Sequence, residues 1–197
     1  MIRATSPARA PEVVRAALAG RTGTRWVGVD GLGASGKTTL AARLLAVLPG
    51  AVVVHVDDFA APEVPTWQRD RFVAEVLAPL RAGRPGRYRP ADLVTGALGE
   101  PVEVPVGVPV VVEGVSATDV RLGVPWDLTL WLDVPEAERR RRVLRRDPPA
   151  LLERWRTDWW PQEEAYVAAQ RPAERADLVV RDDVLPELSE PEGAPAP

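Results

Sequence analysis

Eight consecutive residues near the N-terminus match the pattern G-x-x-x-x-G-K-[ST], which is typical of a phosphate-binding loop. They are Gly31, Leu32, Gly33, Ala34, Ser35, Gly36, Lys37 and Thr38, and Thr39 follows them. Glycines let successive backbone N–H groups point at an anion, and the following helix adds its dipole. In such loops the lysine reaches the β- and γ-phosphates and the hydroxyl ligates Mg²⁺. We therefore expect these nine residues to bind ATP and Mg²⁺.

Lys37 is the only lysine of the chain, whereas the other 24 of the 25 basic residues are arginine. A compact ammonium on a flexible stem fits inside a phosphate loop, but a guanidinium is broader and presents a rigid fork. The bias towards arginine therefore indicates that position 37 requires lysine for a chemical reason.

Carboxylates follow two apolar runs that read as buried strands. Asp57 and Asp58 end the run AVVVHVDD, and Glu113 follows a run of valines. A carboxylate at such a place can accept the proton of a hydroxyl or hold Mg²⁺. We expect Asp57 to be a base and metal ligand and Glu113 to be a metal ligand, and the choice between Asp57 and Asp58 as base stays open.

Six of the eight residues from Arg139 to Arg146 are arginine. Arg139, Arg142 and Arg146 are spaced three and four residues apart, so a helix would place them on one face. Such a stripe could neutralise a phosphoryl group during its transfer, or it could be a solvated helix face. We expect Arg142 and Arg146 to be catalytic and Arg139 to contact the nucleotide.

The elements that would position these residues alternate between apolar runs and helical patterns. Uniformly apolar strands predict an α/β fold, with a parallel sheet covered by helices on both faces. A helix with Thr66 as its N-cap, an irregular excursion over 84–106 and a helix interrupted near Pro161 are also expected. The chain reads as one domain over 1–185, with a lid at about 135–160 and a disordered tail at 186–197.

Composition excludes several function classes. The chain has 197 residues, no cysteine and a formal net charge of -3, so thiolate chemistry is excluded and nucleic acid is not an expected partner. No signal peptide or membrane span is evident, so a cytoplasmic protein without a membrane partner is expected. Asn is absent, which rules out the N-K-x-D motif of GTPases, and the L-S-G-G-Q signature of ABC ATPases is also missing. A small-molecule kinase remains among the phosphate-loop enzymes.

The segments DGLGASGKTTLA, VHVDDF, VVEGV and WLDVPEAERRRRVLRRD occur in an order and spacing that resembles the uridine kinase family. Phosphoribulokinase and bacterial pantothenate kinase are relatives of that family, and the resemblance covers about residues 25–180. It implies a P-loop NTPase fold with sheet order 2-3-1-4-5 and an arginine-rich lid helix. It also implies Asp57 as base, with Ala60 replacing a usual aromatic residue, and Glu113 on the Mg²⁺ side.

The acceptor side carries weaker signals. The resemblance places Trp67 and Tyr88 where a nucleoside would bind, and Asp58 and Glu163 are further candidates for substrate contact. Each aromatic side chain could instead pack a loop against the body of the protein. The acceptor could thus be a nucleoside, or alternatively a nucleoside monophosphate, pantothenate or a sugar. A different alternative is that the chain is a regulatory ATP-binding protein without an acceptor.

Arginine, histidine and tryptophan residues are further candidates on this side. A phosphate-bearing acceptor would need additional arginines, which Arg87 and Arg89 could supply. His55, the single histidine, lies inside an apolar run, so a core position is favoured over catalysis. Trp155 and its neighbours at 159 and 160 are expected to pack in the core or the lid.

Overall fold

The computed structural model describes residues 3–61, 64, 66–92 and 95–181. The strands are β1 (Arg3–Thr5), β2 (Arg25–Gly31), β3 (Val52–His55), β4 (Gly86–Tyr88), β5 (Val102–Val104), β6 (Pro109–Glu113), β7 (Leu128–Leu132) and β8 (Leu178–Val180). The helices are α1 (Ala10–Ala17), α2 (Lys37–Val47), α3 (Arg69–Phe72), α4 (Ala78–Arg81), α5 (Glu136–Arg146), α6 (Pro149–Arg154), α7 (Trp160–Gln170) and α8 (Pro172–Arg175). The expected tail at 186–197 and the boundary at 185 lie outside the described residues. None of the described helices combines the length and apolar character needed to cross a membrane.

Six strands form one parallel sheet in the order β1-β8-β7-β2-β6-β3. The parallel sheet and α/β class are confirmed, and the order differs from the expected five-strand order 2-3-1-4-5 only by an additional strand at one edge. That expectation numbered β2, β3, β6, β7 and β8 as strands 1 to 5 and did not include β1. Strand β1 is three residues long and pairs with β8, so it adds an unpredicted edge to the sheet.

The central strands are buried on both faces because alternate valines pack against different layers. Val110 and Val112 of β6 join a core under α3 and α4, whereas Val111 points to the opposite core under α1 and α2. Burying each such side chain contributes on the order of 1.5 kcal/mol. The continuous valine run therefore follows from helices that cover both faces of the sheet.

The structure corrects two details of the predicted helices. Helix α3 begins at Arg69, so Thr66 is not its N-cap, although the Thr66 hydroxyl accepts a hydrogen bond from Arg69 Nη1 at 3.2 Å. π-helical turns at Val73–Leu77 and Trp155–Trp159 join α3 to α4 and α6 to α7. A proline follows each turn two residues later, and the wider turn accommodates its ring. The helix near Pro161 is therefore continuous and contains a π-helical turn in place of the expected interruption.

A third correction concerns the expected irregular excursion at 84–106, where β4 and β5 form an antiparallel pair.

A buried carboxylate ties the carboxyl edge of the sheet together. Asp30 is 1% exposed and lies near the end of β2. Its Oδ1 accepts the backbone N–H groups of Gly31 at 2.7 Å and Ser116 at 3.0 Å. Its Oδ2 accepts the N–H of Thr118 at 3.0 Å and the hydroxyls of Thr118 and Tyr166, each at 2.7 Å. One side chain thus joins β2, the loop after β6 and helix α7.

We expect Asp30→Asn to lower the free energy of unfolding by about 2–4 kcal/mol, because the amide group turns a donor towards groups that are themselves donors. Urea denaturation followed by circular dichroism measures the change. The matched control is Asp133→Asn, at a side chain that is 52% exposed and 3.9 Å from Arg181, where a change below about 0.5 kcal/mol is expected. Equal losses in both variants would contradict a special role for Asp30.

Candidate active site

A cleft of about 1300 Å³ opens at the carboxyl edge of the sheet, where ligands of open α/β sheets bind. The predicted site residues that line it are Gly33, Ala34, Gly36, Lys37, Thr38, Thr39, Asp57, Trp67, Glu113, Arg142, Arg146 and Glu163. Those that do not line it are Gly31, Leu32, Ser35, Asp58, Tyr88 and Arg139. The structure therefore brings most of the predicted residues to one cavity.

The phosphate loop has the backbone that its glycines predict. Gly36 has a φ of 98° and directly precedes helix α2, a conformation that side chains other than glycine rarely adopt. A Cβ at Gly33 would lie 2.3 Å from the Trp155 ring and 2.7 Å from Glu163 Oε1. Position 33 therefore needs glycine because α7 and the turn before it approach the loop closely.

Lys37 is almost fully buried inside this loop. Its Nζ donates a hydrogen bond to the Leu32 carbonyl at 3.0 Å. Burial lowers the pKa of Lys37, while the negative charges of Glu113, Asp30 and Asp57 oppose that shift. An ammonium at this position would gain a direct counter-charge when phosphates bind in the loop.

A chain of polar contacts runs from the loop to strand β3. Thr38 Oγ1 donates to Glu113 Oε1 at 3.0 Å, and His55 Nδ1 lies 2.5 Å from the same oxygen. The hydrogen bond with Glu113 raises the pKa of His55, against the effect of burial. His55 is therefore not a core histidine, because its side chain is 40% exposed and contacts Glu113, although it does not itself line the cleft. The parallel register that places His55 opposite Glu113 was not readable from the sequence.

The residues around Thr38 fit a magnesium ion that is shared with a nucleotide. Mg²⁺ prefers oxygen ligands and is usually held by one or two carboxylates together with phosphates and water. Thr38 and Glu113 are in contact, and Asp57 lines the same cleft. Among the residues described, no group of three or more His, Asp or Glu side chains forms a complete metal site. Mg²⁺ would therefore need the nucleotide's phosphates as additional ligands.

The two adjacent aspartates after β3 have different surroundings. Asp57 faces the cleft, where the surrounding protein limits its hydration and raises its pKa, although Lys37 opposes this effect. Asp58 does not line the cleft, and its Oδ2 accepts the Tyr88 hydroxyl at 2.8 Å. The geometry therefore favours Asp57 for contact with a ligand and gives Asp58 a positioning contact with Tyr88.

The arginine helix α5 contributes side chains to the cleft from one edge. Arg142 Nη1 donates to the Ala34 carbonyl of the phosphate loop at 3.2 Å. Arg146 lines the cleft while its Nε donates to Asp147 Oδ1 at 2.6 Å. Arg139, expected to contact the nucleotide, is buried outside the cleft lining. Two of the three predicted arginines thus reach the cavity.

Glu163 contacts the phosphate loop directly. Its Oε1 accepts the Gly33 N–H at 2.7 Å, and its Oε2 lies 3.5 Å from Arg139 Nη1. Burial raises the pKa of Glu163, while the Gly33 N–H and the charges of Lys37 and Arg139 oppose the shift. Trp155 packs beside this contact and donates from Nε1 to Asp147 Oδ2 at 2.6 Å. The Glu163 carboxylate thus accepts a hydrogen bond from an N–H group that a phosphate loop otherwise donates to a bound phosphate.

The aromatic candidates for acceptor stacking face inward. Trp67 lines the cleft but is only 4% exposed, and its Nε1 donates to Ser116 Oγ at 3.0 Å. Tyr88 is 3% exposed and packs on Phe59 with ring centroids 4.8 Å apart. Neither ring has a free face for a base or sugar.

Three arginines outside the predicted set also line the cleft: Arg145 of the arginine-rich helix, and Arg69 and Arg121 from other segments. Arg69 lies in the segment TWQRDRF, which the resemblance had placed at the acceptor side, so a signal for it existed. Arg121 lies in a stretch without a motif, and nothing in the sequence marked it.

Two solved structures are similar to this chain over nearly its whole length. One is a possible uridine kinase from Bacillus stearothermophilus, with 21% identity, a TM-score of 0.67 and coverage of 89% of this chain and 97% of the other. The other is a candidate fructose transport system kinase from Silicibacter sp. TM1040, with 23% identity, a TM-score of 0.58 and coverage of 89% and 98%. Neither a protein-family model nor a curated protein matches the sequence. The chain has the fold of these P-loop kinases.

We expect Lys37→Arg to weaken ATP binding at least about 10-fold, because the broader guanidinium does not fit the buried position of the ammonium. Isothermal titration calorimetry measures the dissociation constant. The matched control is the converse change Arg43→Lys, at an exposed position of the same helix, which should leave binding unchanged. Unchanged affinity of Lys37→Arg would mean that the single lysine has no chemical cause.

We expect Glu163→Gln to bind ATP about 3- to 10-fold more tightly at pH 7.5, because it removes a negative charge that faces the phosphates. The native protein should gain affinity relative to the variant as the pH falls, because Glu163, with its raised pKa, then takes up a proton. Isothermal titration calorimetry from pH 5.5 to 8 gives the ratio of the dissociation constants of the two proteins at each pH. Protonation of ATP itself affects both constants equally and cancels in this ratio. The exposed neighbour Glu164→Gln is the control, and a constant affinity ratio across this range would contradict the prediction.

Proposed function

We propose that the protein is an ATP-dependent kinase that transfers the γ-phosphoryl group to a hydroxyl of a small molecule. The observation that carries this proposal is that Asp57 faces the same cleft as Lys37 of the phosphate loop and Arg142 of the lid helix. A nucleotide-dependent switch needs the loop but has no need of a carboxylate aimed at an acceptor. The similarity in fold to two kinases supports the same reading.

The phosphate loop would bind the donor. Its free backbone N–H groups and Lys37 hold the β- and γ-phosphates, and the Gly33 N–H becomes available when Glu163 withdraws. Thr38 and Glu113 would hold Mg²⁺ with Asp57 nearby, and the bound ion neutralises charge on the phosphates. His55 keeps the Glu113 carboxylate oriented through its contact with Oε1.

Asp57 would act as the base towards the acceptor. The acceptor oxygen forms a bond to the γ-phosphorus, and its proton passes to the Asp57 carboxylate. The bond between the γ-phosphorus and the β–γ bridging oxygen breaks, and the electron pair leaves with ADP. Arg142 and Arg146 stabilise the charge on the transferring group from the lid side. A nucleoside, a nucleoside monophosphate, pantothenate or a sugar could serve as acceptor.

The test is ADP release with a panel of nucleosides, nucleotides, vitamins and sugars. We expect at least one acceptor to raise the rate, and Asp57→Asn to lower kcat by about 100-fold or more, because general base catalysis is lost. Asp58→Asn is the matched control, because its amide oxygen can still accept the Tyr88 hydroxyl outside the cleft, so kcat should stay within a few-fold.

Two results would count against these assignments. If no acceptor raises ADP release above background, the protein is not a kinase for these classes, and a regulatory ATP-binding role is favoured. If Asp58→Asn abolishes turnover while Asp57→Asn retains it, the base assignment is wrong.

A further inference from the structure

One end of the cleft is built around a second buried carboxylate. Asp119 is 0% exposed and follows the loop that leaves β6. Arg121 Nε donates to both of its oxygens, at 2.9 and 3.1 Å, and Gln170 Nε2 donates to Oδ1 at 2.8 Å. Arg69 Nε lies 2.9 Å from Oδ2. Two guanidinium groups from different segments thus pair with one carboxylate, Arg121 through hydrogen bonds and Arg69 as an ion pair.

Helix α7 sets the distance between this cluster and the phosphate loop. Glu163, near the start of α7, contacts Gly33 of the loop, and Gln170, at the end of α7, contacts Asp119. Seven residues separate the two contacts, which corresponds to roughly 10 Å along the helix. A small acceptor that reaches from the transferred phosphoryl group to the arginines fits this span.

The cluster carries a surplus of positive charge. Burial opposes ionisation of Asp119, but the hydrogen bonds from Arg121 and Gln170 and the charge of Arg69 hold its pKa well below the usual range. One negative charge therefore faces two guanidinium groups. Arg121 is 65% exposed at its side chain and Arg69 is 24% exposed, and both line the cleft.

The carboxylates that line the cleft, among the described residues, are engaged elsewhere. Glu113 contacts Thr38, Glu163 contacts Gly33, and Asp147 pairs with Arg146 and Trp155 on the lid side. The remaining one, Asp57, faces Lys37 closely enough for each charge to shift the other's pKa. Asp119 is therefore the one carboxylate, among these described groups, that pairs with Arg69 and Arg121. Its single negative charge balances their two positive charges only in part.

Features that would recognise an uncharged nucleoside are weak at the same end. The faces of Trp67 and Tyr88 are buried, and Arg69 itself lies over the Trp67 ring, with Cζ 5.4 Å from the centroid. Arg87 and Arg89, the arginines expected to serve a phosphorylated acceptor, do not line the cleft. Arg89 instead donates from Nε to the Gly99 carbonyl at 2.7 Å.

We propose that the acceptor carries an anionic group, a carboxylate or a phosphate, that pairs with Arg69 and Arg121 while its hydroxyl faces Asp57. Guanidinium groups bind such anions through paired hydrogen bonds, and Asp119 holds both in place before the ligand arrives. This proposal rests on the kinase function proposed above. It narrows the acceptor classes to nucleotides, sugar phosphates and hydroxy acids.

The test measures ADP release with pairs of acceptors that differ in one anionic group. Suitable pairs are fructose and fructose 6-phosphate, uridine and uridine 5′-monophosphate, and pantothenate and its uncharged amide. We expect kcat/KM to be at least about 10-fold higher for the anionic member of the accepted pair. Pairs with phosphate and pairs with carboxylate distinguish the two sources of the anion.

Variants connect that preference to the cluster. Arg121→Gln should raise KM for the anionic acceptor about 10- to 100-fold and leave KM for ATP within about twofold, and Arg121→Lys should restore part of the loss. Arg69→Gln, on a different element, provides an independent variant. Arg87→Gln, at an exposed position of β4, is the matched control and should change neither KM.

Each outcome decides the proposal. A kcat/KM for the anionic member that does not exceed that for the uncharged member in any accepted pair, or an unchanged acceptor KM in both Arg121→Gln and Arg69→Gln, overturns the anionic acceptor and leaves the kinase function standing. Absence of stimulation by every member of every pair overturns the kinase function together with the inference drawn from it.

Discussion

The hydrogen bonds of Asp30 are the interaction on which the cleft end of this protein depends. Five donors from the phosphate loop, the loop after β6 and helix α7 converge on one buried carboxylate. A buried donor left without a partner costs about 1–3 kcal/mol. The carboxylate therefore fixes how α7 lies relative to the loop. The positions of Glu163 and Gln170 follow from that placement, because both belong to the same helix.

Under the proposed function, a nucleotide and its acceptor would supply counter-charges for the charged groups of the cleft. Lys37 is buried among carboxylates at one end, and the arginines around Asp119 stand at the other. Local partners hold the polar groups in place until a ligand arrives, as the Leu32 carbonyl does for Lys37 and Glu163 does for the Gly33 N–H. Such preorganisation lowers the cost of orienting the groups on binding, and each ligand must displace or join an existing contact.

Much of the fold could be predicted because its signals are local. The phosphate loop, the valine-rich strands and the helices after them each have a pattern within about ten residues, and the structure has them in the predicted order. Strand β1 was missed because three residues, two of them exposed, carry no periodic pattern. The β4–β5 pair was missed because its strands are equally short and lie between proline-rich stretches.

The candidate site divides along the same line. The sequence by itself determined the phosphate loop, the single lysine and the carboxylates that end β3 and β6, because residue type and neighbouring residues define them. Only the tertiary structure decided which side chains meet: His55 with Glu113 through strand register, Glu163 with Gly33, and Arg69 and Arg121 on Asp119. Likewise it turned Tyr88 and Arg139 inward. The physical reason is that local patterns encode backbone conformation, whereas contacts between distant segments depend on how helices pack on the sheet, which no spacing along the chain contains.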